Sequence, residues 1–232
     1  MTGQMYNILF LFLACLFLIF YRLTVFNPGN QYRMKKIAVL VSGSGSNAEN
    51  LVNYFRKGDL ARVSIILSNK KDAFALVRAQ RLGVPSLYFD RNDFYNSSKI
   101  LETLKEQEID WIVLAGFLWL VPSDILAAYE GRIVNIHPAL LPKYGGKGMY
   151  GMKVHCAVVE NGEKETGITI HYVNSRYDEG GMIFQAKTEV LPTDTPEMVA
   201  EKVHALEYEH FPKVVAQIIA EQYSNKDECK RC

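Results

Sequence analysis

The chain has 232 residues, of which 49% are hydrophobic and 22% charged. That size and balance suit one large domain with a real apolar core, and exclude a disordered chain, a collagen-like repeat or a disulfide-rich miniature fold. Lys and Arg number 26 against 25 Asp and Glu, a formal net charge of +1, so no basic field gathers a polyanion and no nucleic-acid partner is expected.

The N-terminus is uncharged from Ile8 to Tyr21, is interrupted by Arg22 and resumes from Leu23 to Phe26 before Asn27, Pro28, Gly29 and Asn30 break it. A membrane span takes about 20 apolar residues and a signal-peptide core about 7–15, so length does not separate the two. Three readings stay open: a membrane anchor, a cleaved signal, or an upstream extension of a protein that starts at Met34, directly before Lys35 and Lys36. The organisation expected is an apolar extension over 1–33, one functional domain over 34–222 and a polar tail over 223–232.

From Met34 onward strands and helices alternate. Ile37 to Val41 is an unbroken apolar run, the pattern of a strand buried on both faces. It ends at Ser42-Gly43-Ser44-Gly45-Ser46-Asn47, after which Leu51, Val52 and Phe55 recur at helical spacing until Gly58. The unit repeats with a strand from Val63 to Leu67, a helix from Ala73 to Leu82 stopped by Gly83, a strand from Ser86 to Phe89, and a helix from Asn96 to Gln107 with Ile100, Leu101 and Leu104 inward. Trp111 to Ala115 reads as a strand, Pro122 to Tyr129 as a helix with proline near its first turn, and Ile133 to Ile136 as a strand. Parallel strands need crossover connections, so this rhythm predicts an α/β fold with a mostly parallel, doubly wound, Rossmann-like sheet. Ligands of such sheets sit beyond the carboxyl ends of the strands.

After Gly167 the pattern changes to alternation, from Ile168 to Val173, then a Gly180-Gly181 turn and Met182 to Val190. This predicts an antiparallel C-terminal extension of the sheet. A last helix fits Pro196 to Gln222, capped by Thr195 with Val199, Val203 and Leu206 on one face. Cys15, Cys156, Cys229 and Cys232 make no disulfide framework, and the C-x-x-C pair at the end lacks further ligands, so it reads as a reduced, inert tail. The body reads as cytoplasmic.

Three stretches carry chemistry. Gly43, Gly45 and Ala48 fit the dinucleotide fingerprint, but the second strand ends in Leu67-Ser68-Asn69, without the carboxylate that would bind a ribose. What remains is a strand-to-helix turn whose backbone N–H groups and helix N-terminus favour a phosphate, with Ser44, Ser46 and Asn47 as side-chain donors. The plain alternative is a tight, capped turn. Asn135 and His137 stand two apart at the end of a buried strand, on the same side, pairing an amide donor with a proton carrier as acyl transfer requires. Alone, such a pair is equally a turn-capping His and a loop-satisfying Asn. Asp178, in Tyr177-Asp178-Glu179-Gly180-Gly181, would orient the His137 ring and raise its pKa if close, or simply terminate a turn.

Together, Ser42-Gly43-Ser44-Gly45-Ser46-Asn47, Leu114-Ala115-Gly116-Phe117, Asn135-Ile136-His137-Pro138 with Leu140-Leu141-Pro142, and Asp178-x-Gly180 resemble the phosphoribosylglycinamide formyltransferase family, over about Lys35 to Ile219. The resemblance implies formyl transfer from the co-substrate 10-formyltetrahydrofolate to the amine of glycinamide ribonucleotide, a step of purine synthesis that uses no metal. It implies that Asn135 holds the formyl oxygen, that His137 transfers the proton, and that Asp178 raises the pKa of His137 and positions a relay water. The phosphate then falls on Gly45, Ser46 and Asn47, and Glu207 binds the ribose or glycinamide end, an exposed helix position being its plain alternative.

The resemblance also places the pterin against Leu118, Trp119, Leu120 and Val121. Trp119 stands where the family has a basic residue, either stacking on the ligand or packing, and the family's Arg near the folate glutamate has no counterpart, Asn96 being nearest. The glycine-rich stretch Gly145 to Gly151 is expected to form a mobile loop over the folate. His155 contacts a ligand or caps the helix from Val154 to Glu160, while His171 reads as structural.

A formyltetrahydrofolate hydrolase shares the Asn, His and Asp set but carries a regulatory domain before the first strand. Methionyl-tRNA formyltransferase adds a C-terminal RNA-binding domain and has a different first loop. A membrane-tethered phosphate-binding module would use the apolar run and the glycine loop, with no need for Asn135, His137 and Asp178. The partners expected are small molecules, with a membrane only if the apolar run is an anchor, and a homodimer left open.

Overall fold

A computed structural model describes residues 33–229, with side chains described from 33 to 222. The apolar run from Ile8 to Phe26, Cys15 and the thiols of Cys229 and Cys232 lie outside the described residues. The elements are β1 (Lys35–Val41), α1 (Ser46–Phe55), β2 (Ala61–Ser68), α2 (Phe74–Arg81), β3 (Ser86–Tyr88), α3 (Arg91–Tyr95), α4 (Lys99–Glu106), β4 (Trp111–Leu114), α5 (Ser123–Ala128), β5 (Ile133–His137), α6 (Met152–Glu160), β6 (Glu165–Tyr172), β7 (Met182–Glu189) and α7 (Pro196–Cys229).

They form a 7-stranded sheet in the order β3-β2-β1-β4-β5-β6-β7. The pairs from β3 to β5 are parallel, and β6 and β7 add antiparallel. Both faces of the sheet are covered, which explains the unbroken apolar run of β1. Ile37, Val39 and Val41 face a core with Leu51, Phe55, Val203 and Phe211, while Ala38 and Leu40 face another with Phe89, Phe94, Ile100 and Leu104. The strand order reverses between β1 and β4, the place where open α/β sheets form a crevice. Ser42 ties the two loops there: its N–H donates to the Gly116 carbonyl at 3.1 Å and its Oγ accepts from the Leu118 N–H at 3.0 Å.

Two helices differ by more than two residues from their predicted spans. The stretch expected as one helix from Asn96 to Gln107 is preceded by the separate α3 and begins only at Lys99. Asp90 and Asp93 form a reciprocal capping box that starts a short helix earlier, and Asn96 ends it, so the periodic Ile100 and Leu104 belong to a second helix. The last helix continues past Gln222 to Cys229 although Pro212 lies inside it. Proline has no N–H for the carbonyl four residues back, here that of Tyr208. The Asn50 side-chain amide of α1 donates to that carbonyl at 2.9 Å, so the helix runs on with its backbone acceptor satisfied. Among the described residues no helix is long and apolar enough to cross a membrane.

Candidate active site

A cavity of about 490 Å³ lies beyond the carboxyl ends of β1, β4 and β5, a size typical of small-molecule sites. Its walls are the Gly43–Asn47 loop, the start of the loop after β4, the end of β5, the glycine-rich loop before α6, and Asp178, His204 and Glu207.

On one side, α1 begins at Gly45 with no side-chain cap, so its first-turn N–H groups are left for a ligand. Gly45 has φ 73°, and a Cβ there would stand 2.5 Å from the Ala75 Cβ, so only glycine lets α2 pack this close to the turn. Arg78 of α2 donates from Nε to the Ser44 carbonyl at 2.9 Å and pairs with Glu49, fixing the turn from behind. Asn47 donates from Nδ2 to Glu207 Oε2 at 2.9 Å, while its Oδ1 is buried without a protein partner. Glu207 is buried, not an exposed helix position, and burial pushes its pKa up, the Asn47 hydrogen bond and nearby His204 opposing this in part.

On the other side, β5 delivers Asn135 and His137. The turn after His137 is held by Thr169 of β6, whose Oγ1 donates to the Ala139 carbonyl at 2.7 Å and accepts from the Leu141 N–H at 3.0 Å. His137 Nε2 lies 2.8 Å from the Tyr144 carbonyl; a carbonyl only accepts, so Nε2 carries the hydrogen and the neutral ring keeps its lone pair on Nδ1. Nδ1 faces Asp178 Oδ2 at 3.6 Å. Asp178 sits at φ 56°, accepts from the Gly146 N–H at 2.9 Å and thereby binds the glycine-rich loop to the site.

Asp178 does pull the His137 pKa up, as expected, but it does not set the net direction. Burial lowers that pKa, and Asp178 and the Tyr144 carbonyl offset burial only in part, so the net shift is downward. Burial pushes the Asp178 carboxyl up, but the His171 and His137 rings and the Gly146 N–H outweigh it and the carboxyl is lowered overall. His137 is therefore a neutral base beside an ionised carboxylate.

His171, read from the sequence as structural, belongs to this cluster. Its Nδ1 lies 2.8 Å from the Tyr172 carbonyl, and its Nε2 stands 3.1 Å from Asn135 Nδ2 and 3.6 Å from Asp178 Oδ1. The second Asn135 hydrogen has only a long contact, 3.5 Å, to Asp178 Oδ1. The signal was the antiparallel pairing itself, which sets His171 opposite Asn135. His204, three residues before Glu207 on α7, lines the same cavity and follows from helical spacing. His155 also lines it. No side chain caps α6, so capping is not the role of His155; its Nδ1 is buried without a partner, and burial together with His204 and His137 lowers its pKa to about 4.

Leu118 lines the cavity and is exposed. Trp119 instead packs in an aromatic cluster with Phe89, Phe94, Tyr95 and Phe117, with the Arg91 guanidinium 5.0 Å above its ring. The Leu120 carbonyl accepts from the Tyr95 hydroxyl at 3.0 Å, and Val121 is buried in the core. No cluster of metal-ligating side chains occurs among the described residues.

An uncapped helix N-terminus facing an amide, an imidazole and a carboxylate across one cavity is an arrangement suited to group transfer, and the sequence profile of the formyl transferase family matches residues 35–215. A chloroplastic phosphoribosylglycinamide formyltransferase of Arabidopsis thaliana is 39% identical over 202 residues, covering 84% of this chain and 69% of that protein. The phosphoribosylglycinamide formyltransferase of Haemophilus influenzae is 37% identical over 187 residues, covering 78% of this chain and 86% of its own. Among solved structures, glycinamide ribonucleotide transformylase 1 of Symbiobacterium toebii superposes with a TM-score of 0.75 at 34% identity, over 82% of this chain and 90% of that one. The chain belongs to the phosphoribosylglycinamide formyltransferase family.

Proposed function

We propose that the protein transfers the formyl group of 10-formyltetrahydrofolate to the amine of glycinamide ribonucleotide. The observation that carries this reading is the convergence of Asn135, His137 and Asp178 on one cavity whose opposite wall is the uncapped N-terminus of α1. In this reading Gly45, Ser46 and Asn47 hold the phosphate, and Glu207 with Asn47 Oδ1 holds the ribose or glycinamide end.

In this reading the folate lies in the same cavity. Leu118 supplies an apolar wall, and the unpartnered His155 Nδ1 is a polar group left for a ligand. The formyl folate supplies an activated acyl carbon: its bond to the folate nitrogen breaks as a bond to the acceptor amine forms. Asn135 directs its weakly engaged Nδ2 hydrogen to the formyl oxygen as negative charge gathers there. His137 takes the amine proton on Nδ1, Asp178 stabilises the imidazolium so formed, and the proton is returned to the departing nitrogen. Atoms balance as formylated ribonucleotide and tetrahydrofolate. The ligands are small molecules, the expected compartment is the cytoplasm, and a homodimer is compatible with this chemistry.

Purified protein given both substrates should release folate absorbance in step with acceptor formylation. His137→Ala should lower turnover about 10²–10⁴-fold, the usual share of a general acid–base group. Affinity for the ribonucleotide should stay within about tenfold. Unchanged turnover overturns the assignment, and equally fast loss of formyl without the amine points to a hydrolase.

A further inference from the structure

A second cavity, of about 390 Å³, lies at the other end of the sheet, where β1 and β2 begin. Its polar lining is Lys36, Arg56, Arg62, Ser64 and Gln107, and no carboxylate lines it. Lys36 is neutralised, with Nζ 2.7 Å from Glu108 Oε2 and donating to the Gln107 carbonyl at 3.1 Å. Among the described residues the two guanidinium groups are not: Arg56 donates only to the uncharged Leu82 carbonyl, and Arg62 is exposed and has no ion pair or hydrogen bond.

The backbone supplies an independent observation. β1 and β2 pair in register until Ile37 meets Val63, after which Ala38 meets Ile65, so Ser64 is the extra residue of a bulge. Bulges re-aim a side chain and recur next to binding sites. The Ser64 hydroxyl is buried, lines this cavity and has no protein partner. A buried hydroxyl without a partner is unfavourable, so a ligand oxygen that completes it is favoured. Val52, Val63 and Val84 give the remaining wall an apolar character.

We propose that this cavity binds a phosphorylated small molecule, separately from the catalytic cavity. Arg56 and Arg62 take the phosphate, as planar guanidinium groups do in bidentate fashion, Ser64 hydrogen-bonds it, and the valines cover the body of the ligand. The site needs no residue of the catalytic cavity, so its success or failure is distinct from that of the formyl-transfer reading.

The test is a titration of the isotope-labelled full chain, followed by backbone amide shifts, with adenosine monophosphate, inorganic phosphate and adenosine as probes. The Val63, Ser64 and Val84 amides are expected to shift saturably with adenosine monophosphate, less with phosphate and not with adenosine, and the response should weaken with salt. Arg62→Gln, at an exposed and unpaired position, should weaken this response at least about tenfold while leaving that of Gly45 to Asn47 unchanged. Ser64→Ala should weaken it too. No shift at millimolar adenosine monophosphate, an equal response to adenosine, or indifference to Arg62→Gln overturns the proposal. Equal affinity for inorganic phosphate and the monophosphate overturns the small-molecule ester and leaves a bare anion site.

Discussion

Tyr144 turns its carbonyl onto His137 Nε2 at 2.8 Å, so the basic nitrogen of that ring is Nδ1, 3.6 Å from Asp178 Oδ2. The tautomer is thus set by a backbone atom on one side, and in the proposed mechanism the charge that the ring gains is met by a carboxylate on the other.

Asp178→Asn removes the upward pull on His137 and leaves burial unopposed, so the ring pKa, already below 6.5, falls further. In the proposed mechanism His137 works unprotonated, hence activity should be lost as pH falls through that pKa. The acid limb of the kcat–pH profile should therefore move to lower pH in the variant. Its plateau should drop at least about tenfold, because the imidazolium formed in turnover loses its partner. A limb that moves upward contradicts this arrangement.

Glu207 has its folded pKa raised above 4.5 by burial, so the native state binds a proton more readily than the unfolded chain. That contribution to stability is present below pH 4.5 and is lost as pH rises through the raised value. Glu207→Gln keeps an acceptor for Asn47 and removes the buried charge. At neutral pH its Tm should rise while KM for the ribonucleotide increases about tenfold or more, a trade of stability against function. Thermal melts and initial rates on the same preparation check both halves.

Gly45→Ala forces a left-handed conformation on alanine and drives its Cβ into Ala75. Unfolding in urea should show a loss of at least about 2 kcal/mol from strain and overpacking together. KM for the phosphorylated substrate should rise more than kcat falls, since the displaced turn is the proposed phosphate wall.

Asn50→Ala leaves the Tyr208 carbonyl without the donor that Pro212 denies it. The loss should be about 0.5–1.5 kcal/mol, with kcat little changed. In a Pro212→Ala background the helix N–H is restored, so the same Asn50→Ala change should be nearly silent. A double-mutant cycle reads the coupling directly.

Much of this architecture is legible where the signal is local. The unbroken run in β1, the glycine turn after it and the alternation in β6 each report their own surroundings, because burial on both faces, left-handed backbone and one-sided packing leave distinct residue patterns. The place of Asn135 and His137 on one side of a strand follows from period two alone. What is not local is not legible: His171 reads as structural until the β5–β6 register sets it against Asn135, and the net direction of the His137 pKa depends on burial that only the fold creates. The break between α3 and α4 was encoded in Asp90 and Asp93, whose reciprocal cap a periodic count of Ile100 and Leu104 passes over. The bulge at Ser64 leaves no compositional mark, since one residue too many in a strand has no residue type of its own.

The link between α1 and α7 also orders events during synthesis. A nascent polypeptide that has emerged from the ribosome as far as β7 already holds Asn135, His137 and Asp178, yet lacks Glu207, the partner of Asn47, and Tyr208, the anchor of Asn50. In the proposed reading, the ribonucleotide site is thereby complete only once the last helix has docked, so a half-made chain would carry the reactive groups without a finished acceptor site.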